Sequence, residues 1–141
     1  MNILLVEDND LDVEILKRGL RKVKSDGTLL RVRDGAEALD LLTNPTRTPP
    51  LPEPFLILLD INMPRMNGHE FLAALRQTKT IAKARVLVFT TSENPLDIET
   101  AYEKHACGYI VKPSGSQDLQ SVLKTLNQFW QTCESPTPLF L

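Results

Sequence analysis

The chain has 141 residues, 42% of them apolar and 24% charged, with a formal net charge of −2. That is enough for one domain with one core, and it carries no basic footprint for nucleic acid or an anionic membrane. No purely apolar run exceeds that of Phe55 to Leu59, far short of the ~20 residues of a membrane span.

The segment Asn2 to Val6 is rich in Ile, Leu and Val and reads as a buried strand. It begins directly after Met1, so no signal peptide is expected. Asp10 is the expected N-cap of a helix with Leu11, Ile15, Leu16, Leu20 and Val23 on its inner stripe. The basic cluster from Lys17 to Lys24 is its solvated face, and Ser25-Asp26-Gly27 closes it. Leu29 to Val32 is a second strand, and Asp34-Gly35 leads into a helix with Ala36, Leu39 and Leu42 on one face.

Five of the twelve residues from Thr43 to Pro54 are proline, which excludes helix and interior strand and predicts a long surface loop. Phe55 to Leu59 is the third strand, ending at Asp60. A loop through Met63-Pro64 and Asn67-Gly68 precedes a helix carrying Phe71, Leu72 and Leu75. Val86 to Phe89 is the fourth strand and runs into Thr90-Thr91-Ser92. Pro95 suits a helix first turn, with Ile98, Ala101 and Tyr102 facing inward. Tyr109 to Val111 is the fifth strand, before Lys112-Pro113. In the last helix Leu119, Val122, Leu123, Leu126, Phe129, Trp130 and Cys133 form a wide apolar stripe, and Pro136 and Pro138 end it. Cys107 and Cys133 have no metal-like spacing, and His69 and His105 form no partner pattern. Two reduced thiols predict a cytoplasmic protein.

Five short strands alternating with five helices imply βαβ units and a parallel sheet with helices on both faces. The expected fold is flavodoxin-like: a doubly wound five-stranded sheet of order 2-1-3-4-5. Residues 1–133 form the domain and 134–141 a C-terminal tail.

In such sheets ligands bind beyond the carboxyl ends of the strands, at the switch point between strands 1 and 3. Those ends are Glu7 and Asp8, Asp60, Thr90 and Lys112. Taken singly, each has a plain structural explanation: acids favour helix starts, Thr90 is a strand-end hydroxyl, and Lys112-Pro113 is a loop. Asp60 stands out because it ends a run that should be buried. Together, three carboxylates converging on one edge repel one another unless a cation joins them. An all-oxygen set of this kind suits Mg²⁺. Lys112 adds a point charge and Thr90 a donor, which together meet the needs of phosphoryl transfer, chiefly positioning and charge neutralisation.

The runs Leu4-Leu5-Val6-Glu7-Asp8, Leu59-Asp60-Ile61-Asn62-Met63-Pro64 with Asn67-Gly68, Thr90-Thr91-Ser92 and Tyr109-Ile110-Val111-Lys112-Pro113 resemble a response-regulator receiver domain of the CheY-like family. The resemblance covers about residues 2–133. It implies that Asp60 takes a phosphoryl group from a sensor histidine kinase. It implies Mg²⁺ held by Asp8, Asp60 and the backbone carbonyl of Asn62, with Glu7 acting through a water. It further implies that Lys112, across a cis Lys112–Pro113 bond, pairs with the phosphoryl group, and that Thr90 and Tyr109 form the switch.

Two departures from the family pattern are Glu7 in place of the commoner Asp and the bulky Thr91, which bear on metal affinity and phosphorylation lifetime. The Thr90-Thr91-Ser92 run, the long loop and the terminal Phe129-Trp130 are similar to the cyanobacterial phytochrome response regulators of the Rcp type. That likeness implies a phytochrome kinase as partner and a homodimer through the fourth helix, fifth strand and fifth helix. The chain is then a phosphoacceptor in a two-component relay and not an enzyme, signalling through a protein contact. Two alternatives are a degenerate receiver acting as a constitutive interaction module and a haloacid-dehalogenase-like phosphatase. The latter family wants an Asp where Asn62 stands.

Overall fold

The computed structural model describes residues 1–44 and 51–140; Pro45, Pro49 and Pro50 of the expected loop, and Leu141 of the tail, lie outside them. The elements alternate along the chain: β1 (Asn2–Val6), α1 (Asp10–Lys22), β2 (Leu29–Val32), α2 (Gly35–Thr43), β3 (Phe55–Leu59), α3 (Gly68–Gln77), β4 (Val86–Thr90), α4 (Pro95–Glu103), β5 (Gly108–Val111) and α5 (Ser116–Thr132). All strand pairs are parallel, in the order β2-β1-β3-β4-β5, as the alternation predicts.

Strand side chains alternate between the two faces, and each face has its own core. On one, Leu4, Val6, Ile57, Leu59, Val86 and Val88 pack against Ala38, Phe71, Leu72, Leu75 and Ala101 of α2, α3 and α4. On the other, Ile3, Leu5, Leu56, Leu58, Leu87 and Phe89 pack against α1 and α5. Gly19 lets those two helices close, because a Cβ there would meet Leu123 Cδ1 at 2.6 Å.

The helices depart from the sequence reading in phase and caps. Asn9 rather than Asp10 caps α1, its side chain accepting from Asp12 N at 3.0 Å. The buried stripe of α1 is Val13, Leu16, Gly19 and Leu20, which leaves Leu11 and Ile15 exposed. The chain leaves this helix at Val23 and at Lys24, which has φ 56°, earlier than Ser25-Asp26-Gly27. In α2 it is Ala38 and Leu42 that are buried, while Ala36 and Leu39 are half-buried. In α4 only Ala101 is buried, and Tyr102 is exposed. The wide stripe of α5 is buried at Leu119 and Leu123, but Phe129 and Cys133 face solvent. These helices each cover a single sheet face, so a stripe wider than that face spills into solvent.

The tail folds back on its own chain: Leu139 N and Phe140 N donate to the Glu53 carboxylate at 2.6 and 3.0 Å, and Leu139 packs on the α2–α4 core. Contrary to the expectation from the resemblance, Lys112–Pro113 is not cis; the cis peptide among the described residues is Glu53–Pro54. The Lys112 side chain reaches the strand-end carboxylates all the same. No helix of the described residues is long and apolar enough to cross a membrane.

Candidate functional site

The parallel register sets the carboxyl ends of β1 and β3 side by side, with Val6 opposite Leu59. The chain keeps this alignment one residue further, since Asp60 N donates to Val6 O at 3.1 Å and Glu7 N to Val32 O at 3.0 Å. Glu7, Asp8 and Asp60 are therefore brought together, each offering a carboxylate oxygen within 4.8 Å of the others. Glu7 and Asp60 are buried and Asp8 is half-buried. Asp60 is held by its own loop, Ile61 N donating to Oδ1 at 2.9 Å.

The loop beyond Asp60 is pressed tightly against it. Gly68 N donates to Ile61 O at 2.9 Å, and a Cβ on Gly68 would meet Asp60 O at 2.5 Å and Ile61 Cα at 2.8 Å. Only glycine fits so close an approach of two backbones. Asn67 then starts α3 with a capping box, accepting from Glu70 N at 2.9 Å while Glu70 accepts from Asn67 N. Asn62 is exposed in this loop.

Lys112 closes the site from β5, anchored by Lys112 N donating to Thr90 O at 2.7 Å. Its ammonium bonds the Glu7 carboxylate, lies 2.9 Å from Asp12 Oδ2 and stands 3.8 Å from Asp60 Oδ2. Burial opposes its charge, but the bonds to Glu7 and Asp12 and the nearby Asp60 outweigh that and raise its pKa, so it stays protonated. Burial pushes Glu7 up to about 7, helped by Asp60 and resisted by Lys112. A divalent cation among these carboxylates would favour the ionised form of Glu7. Three hard oxygen donors together fit a divalent metal of the magnesium or manganese kind.

Thr90 is completely buried at the end of β4 and accepts weakly from Ser92 N at 3.4 Å. Tyr109, on β5, is half-buried, and its hydroxyl donates to Ser92 O at 2.9 Å. Two participants escaped the sequence reading. Asp12, the second carboxylate on Lys112, comes from α1 and not from a strand end. His69, read as unpartnered, bonds Asp97 Oδ1 at 2.9 Å, and Asp97 Oδ2 accepts from the Ser92 hydroxyl. The one available signal was Asp12 following Asp8 by four residues; nothing local marks a contact between His69 and Asp97.

The chain is similar to known proteins along most of its length. The family model of the response regulator receiver domain matches residues 3–124. Response regulator Rcp1 of Synechocystis sp. is 35% identical over 128 residues, covering 91% of this chain and 87% of its own. The probable methanogenesis regulatory protein FilR2 of Methanothrix harundinacea is 32% identical over 134 residues, covering 91% and 82%. Among solved structures, the Mn²⁺-bound form of Rcp1 superposes with a TM-score of 0.82 at 33% identity, over 96% of this chain and 98% of that one. The phosphorylated cyanobacterial phytochrome response regulator RcpA gives 0.83 at 32% identity, over 96% and 97%. A structure so closely related that carries Mn²⁺ supports a divalent site at the carboxylate cluster. With its matched model, its 2-1-3-4-5 sheet and the acids gathered at the strand ends, the chain belongs to the response regulator receiver domain family, a phosphoacceptor rather than a catalytic enzyme.

Proposed function

We propose that Asp60 accepts a phosphoryl group from a phosphohistidine of a sensor histidine kinase, and that the chain signals by a phosphorylation-dependent protein contact. The observation that carries this is the clustering of Glu7, Asp8 and Asp60 within 4.8 Å, with the Lys112 ammonium 3.8 Å from Asp60. An Asp60 oxygen attacks phosphorus, the P–N bond breaks, and the imidazole nitrogen leaves with the electron pair. Glu7, Asp8 and Asp60, with the carbonyl of Asn62, would hold Mg²⁺, which supplies charge neutralisation on the phosphoryl oxygens. Lys112 pairs with the transferred group. Thr90 turns its hydroxyl to it, and Tyr109 follows, shifting the population of the α4–β5–α5 face.

The kinase is proposed to dock beside Lys112. A groove of about 420 Å³ runs between α1 and the β5–α5 loop, lined by Ile15, Phe89, Lys112, Pro113 and Leu119 among others, with Leu11 exposed on the same helix. A phytochrome-type kinase is the favoured donor, from the likeness to Rcp1 and RcpA. Leu96, Tyr102 and Phe129 stand exposed on α4 and α5, which favours a homodimer through the α4–β5–α5 face. Residues 1–133 act as the receiver and 134–141 as an appended tail. Two free exposed thiols, Cys107 and Cys133, suit a cytoplasmic protein. The complete acidic cluster with its ammonium argues against a degenerate, constitutive module.

Acetyl phosphate with Mg²⁺ should label the protein, and Asp60→Asn should abolish the label. Labelling that survives the substitution would overturn the assignment. Light scattering should show a dimer that Phe129→Asp weakens; an unaffected dimer would move the interface elsewhere.

A further inference from the structure

Lys112 brings the positive charge to this site, and three carboxylates lie around it, Glu7 and Asp60 from strand ends and Asp12 from α1. Its ammonium bonds Glu7, sits 2.9 Å from Asp12 Oδ2, and stays 3.8 Å from Asp60 Oδ2, beyond hydrogen-bond reach. The Phe89 ring centroid lies 6.0 Å away and lines the same groove. Asp12 is not one of the three carboxylates that lie within 4.8 Å of one another. It occupies the first turn of α1, where the Asn9 side chain fixes its N–H. The Asp12 side chain is 37% exposed and that of Lys112 only 11%, so Asp12 can be altered with little disturbance to packing.

A phosphoryl group on Asp60 needs the same ammonium. Asp12 opposes its arrival in two ways of the same sign: it holds Nζ, and its own negative charge repels the incoming anion. Toward a divalent cation the sign reverses. While Asp12 shares Lys112, Glu7 and Asp60 are less fully neutralised by the ammonium and freer to bind metal.

We infer that Asp12 is a positioning residue for Lys112, which shares the ammonium in the resting state and competes for it with the phosphoryl group on Asp60. The inference rests on Asp60 being the phosphoacceptor. Asp12 thereby sets how strongly the phosphorylated state is favoured, without touching the metal or the reacting atoms.

The test measures two affinities by calorimetry on the full chain: that for Mg²⁺ alone, and that for fluoroberyllate at saturating Mg²⁺, a stand-in for the phosphoryl group. Asp12→Asn should bind fluoroberyllate at least threefold more tightly and Mg²⁺ at least threefold more weakly, and Asp12→Ser should do the same. Asp12→Glu, which keeps the charge, should restore both toward the parent values. In a Lys112→Ala background Asp12→Asn should leave the Mg²⁺ affinity within twofold, because the ammonium it shares is gone; such a cycle isolates the pair. Unchanged affinities in Asp12→Asn, or an equal weakening of Mg²⁺ binding without Lys112, overturn the inference. A parent chain that binds Mg²⁺ but no fluoroberyllate instead overturns the role of Asp60, and this inference falls with it.

Discussion

The Tyr109 hydroxyl donates to the Ser92 carbonyl across 2.9 Å, which ties β5 to the loop between β4 and α4. The same Ser92 gives its N–H to Thr90 Oγ1 and its hydroxyl to Asp97. One serine thus joins the buried threonine, the tyrosine and the start of α4. Tyr109→Phe keeps the ring and removes the tie. It should cost about 1 kcal/mol of stability, the ordinary worth of one such bond, read as a lower urea midpoint with an unchanged slope. An unaltered midpoint would mean that the tie contributes nothing in the resting state.

Asp97 makes the loop sensitive to acid. The Ser92 hydroxyl, and then His69, hold its carboxyl below the usual range. A depressed carboxyl stabilises the fold above its unfolded value of 3.8, and this contribution is lost as pH falls through the lower folded value. Asp97→Asn should therefore be less stable than the parent at pH 6, and the gap should close toward pH 2. Melting temperatures across that range check it; a constant gap would assign the effect to packing.

Glu7 behaves in the opposite sense. Its pKa moves from 4.5 to about 7 on folding, chiefly through burial. Between those two values the unfolded chain ionises while the folded one keeps its proton, so stability of the metal-free protein should fall as pH rises from about 4.5 to about 7 and then level off. Mg²⁺ affinity should rise over the upper part of this window, because the metal needs the ionised form. Glu7→Gln should flatten both curves. A pH-independent Mg²⁺ affinity between 6 and 8 in the parent would contradict this.

Gly68 positions Asp60 by being small. In Gly68→Ala the new methyl would need the space of the Asp60 carbonyl and Ile61 Cα, both backbone atoms. The loop must shift, at a cost of about 1–3 kcal/mol, and Asp60 moves with it. Mg²⁺ binding should weaken more than tenfold while the circular dichroism spectrum stays that of the parent. A variant that binds Mg²⁺ normally would show that the loop can yield without carrying Asp60 along.

How much of this was legible in the sequence follows from which forces set each feature. The strand-end residues Glu7, Asp8, Asp60, Thr90 and Lys112 could be placed because parallel topology alone puts them on one edge. Helix phase was harder. Leu16 and Leu20 are buried as expected, but Leu11 and Ile15 fit a 3.6-residue period with them as well as Val13 does, and the choice is made by α5 closing on Gly19. Asp12 was missed for the same reason, since only the true phase of α1 aims it at Lys112. His69 and Asp97 are 28 residues apart, and no local pattern encodes a pairing made by the packing of two helices. The tail gave no sign of its anchor, because Glu53 lies within a proline-rich stretch that reads simply as loop.

That anchor has a practical side. Glu53 precedes β3 at its amino end, and the tail crosses there beside Lys83, Ala84 and Arg85. Asp60 follows the carboxyl end of the same strand, and the five residues of β3 alone span roughly 17 Å at the usual rise per residue. A fluorophore carried at position 140 in place of the Phe140 ring would therefore ride on the edge of the sheet remote from the chemistry. Phosphoryl donors, metal and kinase could then be titrated in real time on a labelled chain whose working edge carries no foreign group.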